Sequence, residues 1–314
     1  MKLRYAIFGL SLFLFSGFAL AGCSSGDDPD GTDNRPSTGS NSGVVPENED
    51  NGKNNNSEPD NSAPEASQPG NNPGSTTPTS WKLVFEDNFQ STDSIPNPEY
   101  WSLAKRGTDT WNRYMSESYG QAYQKDGYLY LFGMKSDGEY LTGGIESIDK
   151  FDFTYGQVKC RARFLRQPQG NHTGIWMMPT PPAERWPKSG EIDIMEHLDD
   201  QSRIFETVHF WNSSTGEDDK SYTTTSIDND DFNVYGLIWD EKSVSFTLNG
   251  EVVFSYINAD PVNEDFSYQY PFTKPFYLIL SQSLGGKDTW EGVINNDELP
   301  AIFQIDWIKV WQKE

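Results

Sequence analysis

Short runs of alternating or continuous apolar residues, separated by clusters of Gly, Pro, Asn and Asp, recur between residues 81 and 314. Alternation with a period of two is typical of strands that bury one face, and no long segment carries the 3.6-residue apolar period of an amphipathic helix. The pattern therefore predicts an all-β domain, an antiparallel β-sandwich without internal repeats. The predicted strands are Trp81–Phe89, Tyr128–Met134, Phe153–Phe164, Thr173–Met178, Glu191–Leu198, Ile204–Trp211, Val234–Trp239, Phe276–Leu284 and Ile302–Trp311.

One hairpin is predicted from its turn. Ser243–Leu248 and Glu251–Tyr256 flank the dipeptide Asn249-Gly250. Both central residues of a type I′ turn need positive φ, which Asn and Gly adopt more readily than other residues. The two segments are therefore expected to pair through a two-residue turn.

Three acidic residues interrupt the apolar strand predicted at Glu191–Leu198. Glu191 and Asp193 share one face because side chains alternate along a strand. Strict alternation would place Glu196 on the opposite face, but a β-bulge around Ile194-Met195 would add one residue and return Glu196 to the acidic face. The bulge is therefore expected.

With the bulge, the Cα atoms of Glu191 and Glu196 are on the order of 13 Å apart along the strand. Long side chains that lean toward each other could bring the carboxyls to about 5–5.5 Å, the separation of a retaining glycosidase, whereas inversion needs a wider gap. A solvated edge strand or a calcium-binding cluster are the alternatives. Both are disfavoured because the flanking Ile and Met residues indicate a central strand, where clustered acids are costly unless they are used.

The aromatic content fits a sugar-binding cleft. Aromatic residues make up 14% of the chain and include ten tryptophans, more than one sandwich core needs. The flat C–H faces of pyranose rings stack on aromatic planes, while sugar hydroxyls require polar partners. Some tryptophans are therefore expected to line an exposed polar groove.

The N-terminus has the pattern of a bacterial lipoprotein signal. Lys2 and Arg4 precede an apolar run, and Leu20-Ala21-Gly22-Cys23 resembles a lipobox, in which the cysteine is acylated. Residues 1–22 are expected to be the signal peptide, and residues 23–80 the acylated Cys23 with a disordered Asn/Ser/Pro/Gly tether. Early aspartates after Cys23 resemble the signal that directs Bacteroidetes lipoproteins to the outer surface. The predicted location is the outer membrane, exposed at the cell surface, with the N-terminal lipid as the only membrane contact.

The chain is strongly acidic, with a formal net charge of −23. Most of this charge belongs to residues 81–314, which are therefore expected to repel phosphate backbones and sulfated polymers at long range. Nucleic acid is a poor partner, and a neutral glycan fits better. The domain is expected to be a monomer, and the only other cysteine, Cys160, is expected to be a small buried hydrophobe.

Ordered motifs across residues 81–314 resemble glycoside hydrolase family 16. The sequence Glu191-Ile-Asp193-Ile-Met-Glu196 matches E-x-D-x-x-E, in the bulged form found in laminarinase-like members, agarases and carrageenases. The other matching segments are Trp81–Phe89, Gly143–Ser147, Phe153–Gln157, Gly174–Pro179, Trp186–Gly190, Thr207–His209 and Asp306–Trp311.

The resemblance implies a jelly roll with an open concave substrate cleft. It also implies retaining, endo-acting hydrolysis with Glu191 as nucleophile, Asp193 as its assistant and Glu196 as the acid/base. No cofactor is required for this chemistry. A structural calcium is common in the family, and Glu86, Asp87 and Asp306 are the nearest candidates. The predicted substrate-binding residues are Trp111, Arg113, Trp176, Trp186, His209, Trp211, Gln282 and Trp290.

The sugar is less well specified than the chemistry. The first hypothesis is an endo-β-glucanase acting on β-1,3 or mixed-linkage β-1,3/1,4-glucan. The second keeps the mechanism but takes the poly-N-acetyllactosamine of mucin O-glycans or an agar-like galactan, because the residues around His209 and Gln282 depart from the laminarinase pattern. A non-catalytic glycan-binding lipoprotein is the third, disfavoured because all three acids are present.

Overall fold

Two antiparallel sheets build the computed structural model, which describes residues 80–259, 262 and 268–314. The predicted signal peptide, Cys23 and residues 24–79 lie outside the described residues. The first sheet has nine strands, in the order β15 (Glu251–Ile257), β14 (Ser243–Leu248), β13 (Asn233–Trp239), β8 (Gly156–Arg166), β17 (Ala301–Lys313), β4 (Tyr128–Ser136) and β3 (Ala122–Lys125), with β1 (Trp81–Asp87) paired to β17 and β5 (Glu139–Thr142) paired to β4.

The second sheet has eight strands. Their order is β12 (Glu217–Ser226), β11 (Arg203–Asn212), β10 (Glu191–Leu198), β9 (Asn171–Pro179), β16 (Phe276–Leu284), β6 (Gly144–Glu146) and β2 (Ser102–Leu103), with β7 (Asp152–Phe153) paired to β16. A short 3-10 helix covers Asn296–Glu298. Within the described residues, no helix is long and apolar enough to cross a membrane.

The core lies between the sheets and follows the predicted alternation. The first sheet contributes inward side chains such as Val158 and Phe303, and the second contributes Ile175, Ile192 and Leu278, all buried in one hydrophobic cluster. Cys160 belongs to this cluster and is a free, buried thiol, as predicted. The all-β, antiparallel sandwich prediction is confirmed.

The predicted hairpin is also confirmed. Leu248 pairs with Glu251 across Asn249-Gly250. Both turn residues have positive φ, 51° at Asn249 and 93° at Gly250, as a type I′ turn requires.

The short strands β2, β3, β5 and β6 were not predicted, and two longer stretches also differ from the prediction. Phe153–Phe164 is interrupted, because Tyr155 has a φ of 59° and separates β7 from β8. Strand β12 was not predicted, since its sequence Glu217–Ser226 is almost entirely polar. It lies at the edge of the second sheet, where both faces of a strand can be solvated.

Candidate active site

The three acids of β10 lie on the outer face of the second sheet because the predicted bulge is present. Asp193 pairs with Thr207 of β11 and Glu196 with Phe205, so β10 advances three residues while β11 advances two. The pairing with β9 shows the same extra residue between Asp193 and Met195. Ile194 and Met195 consequently both enter the core, and Glu196 returns to the face of Glu191 and Asp193.

Glycines at two positions make room for this arrangement. Gly190 starts the strand with a φ of 85°, and a Cβ atom there would lie 2.8 Å from the Phe272 ring. Gly174 pairs with Glu196, and its own Cβ would lie 3.0 Å from the Trp176 ring. A larger residue at position 190 would press on the core beneath the start of β10, and one at position 174 would displace Trp176 of the pocket lining.

A pocket of about 160 Å³ contains all three carboxylates. Three of the tryptophans predicted to bind substrate, Trp111, Trp176 and Trp290, line it. Trp176 donates its indole N–H to Ser281 Oγ at 3.0 Å and meets Trp111 edge to face, with ring centroids 4.8 Å apart. Larger depressions, of about 400 and 550 Å³, occur elsewhere on the surface, but none of the three acids lines either.

Trp186 and His209 contact the acids directly. The indole N–H of Trp186 donates to Glu191 Oε2, and its ring lies against His209 with centroids 5.6 Å apart. His209 pairs with Glu191 in the sheet, and its Nε2 lies 3.3 Å from Asp193 Oδ2. Both residues therefore hold the orientation of the Glu191–Asp193 pair.

Burial raises the pKa values of Glu191 and Asp193. Desolvation is the main cause at Glu191 and the neighbouring charge of Asp193 is the second, and together they raise the pKa of Glu191 to about 8, against the opposing effects of His209 and Trp186. Desolvation followed by the charge of Glu196 also raises the pKa of Asp193. The two acids therefore share a proton near neutral pH. If that proton stays on the more deeply buried Asp193, Glu191 remains an anion.

The structure brings Glu196 two contacts that the sequence analysis did not predict. His172 Nε2 lies 3.2 Å from Glu196 Oε1, and Thr207 Oγ1 donates to Oε2 at 3.3 Å. His172 could have been found by extending the predicted strand Thr173–Met178, because it lies on the same face of β9 as Gly174 and Trp176. Glu291, which also lines the pocket, is on a loop and carries no periodic signal.

Three of the predicted substrate-binding residues lie elsewhere. The prediction that Gln282 contacts the sugar is corrected, because its side chain is fully buried on the inner side of β16. There it forms hydrogen bonds with Asn171 and Thr173. Trp211 lies beyond His209 on β11, with Lys188 Nζ 5.0 Å from its ring, and does not line the pocket. The guanidinium of Arg113 packs over Tyr114 and close to Gly286, also outside the pocket lining.

The candidate calcium residues do not fit a cation site. Glu86 forms an ion pair with Lys309 at 2.9 Å, and Asp306 forms one with Arg161. Asp87 accepts hydrogen bonds from Phe89 N–H and from the Trp101 indole. Because each carboxylate has its own partner, this group does not form a converging set of free oxygen ligands. Among the described residues, the ligand atoms that do converge, within 4.8 Å of one another, belong to Glu191, Asp193 and His209 in the pocket above.

Comparisons with known proteins agree with this geometry. The model of Glycosyl hydrolases family 16 matches residues 110–309. The keratan-sulfate endo-1,4-beta-galactosidase of Sphingobacterium multivorum is 36% identical over 248 residues, which cover 74% of this chain and 56% of that protein. The chain thus spans a little over half the length of this relative.

Solved structures share the whole sandwich. One solved structure has a TM-score of 0.67 and 30% identity, and the match covers 73% of this chain and 98% of the chain in that structure. It comes from work on the endo-acting O-glycanases that prominent members of the human gut microbiota express to initiate mucin breakdown. The laminarinase of Rhodothermus marinus has a TM-score of 0.66 and 25% identity, with 76% of this chain and 100% of its own covered. The jelly-roll prediction is confirmed by these likenesses.

Proposed function

The chain belongs to Glycosyl hydrolases family 16, and from this membership we propose that it is a retaining, endo-acting glycoside hydrolase that cleaves internal bonds of a β-linked glycan. The observation that carries the proposal is the bulge in β10, which places Glu191, Asp193 and Glu196 on one face of the central strand and inside one pocket.

In the first step, Glu191 attacks the anomeric carbon while Glu196 gives its proton to the departing glycosidic oxygen. The C1–O bond to the leaving sugar breaks, and an ester bond between C1 and Glu191 forms. In the second step, Glu196, now a carboxylate, takes a proton from water, whose oxygen attacks C1 and releases Glu191. Two inversions at C1 leave the product with the β configuration of the substrate.

Asp193 has an assisting role in this scheme. It lies between Glu191 and His209 and holds the proton that the Glu191–Asp193 pair retains because burial disfavours a second negative charge. A protonated Asp193 can donate a hydrogen bond to Glu191, which keeps the nucleophile oriented and anionic. When Glu191 becomes an ester, its negative charge disappears from the group.

For the sugar, we propose a β-galactosidic bond in poly-N-acetyllactosamine, as in mucin O-glycans. The higher identities to the galactosidase relative and to the O-glycanase structure, 36% and 30%, support this choice over glucan. The net charge of −23 favours unsulfated stretches of such a glycan. An endo-β-glucanase on β-1,3 or mixed-linkage glucan is the second candidate, supported by the likeness to laminarinase.

One experiment tests both the mechanism and the sugar. The purified protein is incubated with keratan, mucin O-glycans, agarose, laminarin and lichenan, and the first products are followed by mass spectrometry and proton NMR. We expect oligosaccharides from an N-acetyllactosamine polymer with an initial β-configured reducing end. Products from laminarin alone would select the glucanase, an α-configured first product would overturn retention, and binding without products would overturn the enzyme proposal.

We also propose that the protein is a surface-exposed outer-membrane lipoprotein, acylated at Cys23 and carrying its domain on the tether of residues 24–80. The lipobox and the tether composition support this proposal. Its partners would be the glycan and, through the lipid, the membrane, with a monomeric domain. Labelling cells with a palmitate analogue should tag the parent protein but not Cys23→Ala, and external protease should remove the domain from intact cells. An unlabelled parent protein would contradict the anchor.

A further inference from the structure

We propose that His172 and Ser283 form a positioning dyad that keeps the acid proton of Glu196 on Oε1, the oxygen from which the leaving group takes it. This inference rests on the proposed function, since it concerns how Glu196 performs the acid step. It assigns roles to a histidine on β9 and a serine on β16, neither of which belongs to the E-x-D-x-x-E signature.

The geometry places the imidazole between the two partners. Nε2 lies 3.2 Å from Glu196 Oε1, and Nδ1 lies 3.1 Å from Ser283 Oγ. His172 is 9% exposed and Ser283 is 1% exposed, so water has little access to either bond. Both hydrogen bonds therefore gain strength from the low local dielectric.

Ser283 determines which ring nitrogen of a neutral His172 carries the hydrogen. In this proposal its single hydroxyl hydrogen is donated to the backbone carbonyl of His172, which lies 3.2 Å from Oγ. With its hydrogen in that bond, Ser283 Oγ accepts from Nδ1–H, because it has no second hydrogen to donate. The lone pair of Nε2 is left facing Glu196 Oε1, where it can accept the hydrogen of a protonated carboxyl.

This arrangement selects one oxygen of Glu196 and one direction for its proton. Thr207 Oγ1 donates a hydrogen bond to the other oxygen, Oε2, so Oε2 is the carbonyl oxygen of the protonated carboxyl. The proton is thus kept on Oε1, beside His172 and Trp290 of the pocket lining, until the glycosidic oxygen replaces Nε2 as its acceptor in the first step. Orientation of a general acid contributes to the rate only when the leaving group needs the proton.

A purely structural role for His172 predicts a different result. Its ring also packs against Trp290, with centroids 5.4 Å apart. Loss of that packing would loosen the pocket wall and weaken the binding of every substrate, whatever its leaving group. The dependence on the leaving group therefore separates positioning of Glu196 from support of the pocket.

The test compares two substitutions that preserve different halves of the imidazole. The amide of His172→Gln reaches approximately to the position of Nε2 and can still meet Glu196, whereas the amide of His172→Asn reaches only to the position of Nδ1 and can still meet Ser283. Each variant is assayed on a keratan oligosaccharide and on the 2,4-dinitrophenyl glycoside of GlcNAcβ1–3Gal, or on laminarin and dinitrophenyl laminaribioside if the parent prefers glucan. The dinitrophenolate leaves without a proton.

We expect His172→Asn to lower kcat/KM on the natural glycan by about 10²-fold, with less than about fivefold change in kcat/KM on the dinitrophenyl glycoside, because kcat/KM reports the first step, in which only the natural leaving group needs the proton. His172→Gln should recover a large part of the loss. Equal losses on both substrates, or an Asn variant as active as the Gln variant, would overturn the dyad. A parent protein inactive on all of these substrates would instead overturn the proposed function.

Ser283 has a matched neighbour for the control. Ser281 lies two residues earlier on the same face of β16, is also 1% exposed, and accepts from Trp176 instead of meeting His172. Ser283→Ala should show a smaller loss of the same kind, confined to the natural glycan. Any loss in Ser281→Ala should be equal on the two substrates, and a leaving-group dependence there would contradict the assignment to Ser283.

Discussion

At the scale of single residues, the site combines opposing electrostatic effects. Burial and the neighbouring acids raise the pKa values of Glu191 and Asp193, while Trp186 and His209 favour the charged form of Glu191. A nucleophile must be anionic, so the opposing contacts and the shared proton decide how much of the protein is active at a given pH.

Glu191→Gln should abolish turnover, by at least about 10³-fold in kcat, because an amide cannot form the glycosyl ester. Folding should be unaffected, and above pH 8 the melting temperature should equal or exceed that of the parent, since the variant no longer buries an ionised group at this position. Thermal melts and hydrolysis assays check this, with the exposed Glu217→Gln as the control. Appreciable hydrolysis by the Glu191 variant would refute the nucleophile assignment.

Asp193→Asn should leave the acidic limb of the pH–rate profile near that of the parent and lower the plateau rate. Only an ionised Asp193 raises the pKa of Glu191, and in the proposed active form Asp193 is protonated, so the neutral amide gives Glu191 the same uncharged neighbour. The plateau rate should fall, by about tenfold or more, since the amide cannot exchange a proton with Glu191. Profiles of kcat/KM for the variant, the parent and the exposed Asp218→Asn measure the limb. A limb that moves to clearly lower pH would show that Asp193 is charged in the active form and would contradict its role as holder of the proton.

At the scale of the strands, the same alternation that builds the site also buries a carboxylate inside the sandwich. Glu206 of β11 points inward with Ile204 and Val208, while Thr207 and His209 face the pocket. Thr225 of β12 donates to Glu206 Oε2 at 3.0 Å, and desolvation raises the pKa of Glu206 to about 7. The edge strand β12 is therefore joined to its neighbour by a carboxyl that is neutral below pH 7.

The raised pKa of Glu206 makes folding stability depend on pH. The folded state binds this proton more tightly than the unfolded chain, so the contribution is fully present below about pH 4.5 and is lost as the pH rises through 7, by on the order of 3 kcal/mol. Glu206→Gln keeps the bond to Thr225 and removes the titration. Urea unfolding at pH 5 and pH 8.5 should show a smaller pH dependence for this variant than for the parent. Identical pH dependence in both would show that Glu206 does not retain its proton.

At the scale of the whole molecule, the proposed chemistry and the proposed membrane attachment belong to different segments. The core, the pocket and the three acids all lie within the described residues, and the predicted lipobox and tether lie outside them. Catalysis on a soluble substrate should therefore depend on residues 81–314 alone.

Deletion of residues 24–80 should leave the melting temperature and the kcat on soluble oligosaccharides within about twofold of the parent, because a tether supplies reach and not chemistry. Release of products from surface-bound mucin by whole cells should decrease, since the domain would be held close to the membrane. The soluble assay uses both proteins without the lipid, and Cys23→Ala serves as the unanchored control in cells. A large drop in kcat on the soluble substrate would assign the tether a catalytic role.

The sequence by itself determined the sandwich, the Asn249-Gly250 hairpin and the bulge that unites Glu191, Asp193 and Glu196. These features follow from local rules: the period-2 alternation, the φ requirement of a turn, and the parity of positions along one strand. The edge strand β12 was not predicted because its half-buried positions, Ser221, Thr223 and Thr225, are polar, so the sequence shows no alternation of apolar and polar residues there.

Only the tertiary structure decided which side chains surround the acids. His172 reaches Glu196 from β9, the neighbour of β10, and Ser283 reaches His172 from β16, on the far side of β9, so the order of the sheet brings them together. Gln282 was predicted to bind sugar, but the register of β16 turns it into the core, one position from the serine that faces the pocket. A shift of one residue exchanges the two faces of a strand, so the exact register, which is set by pairing across the sheet, fixes the composition of the site.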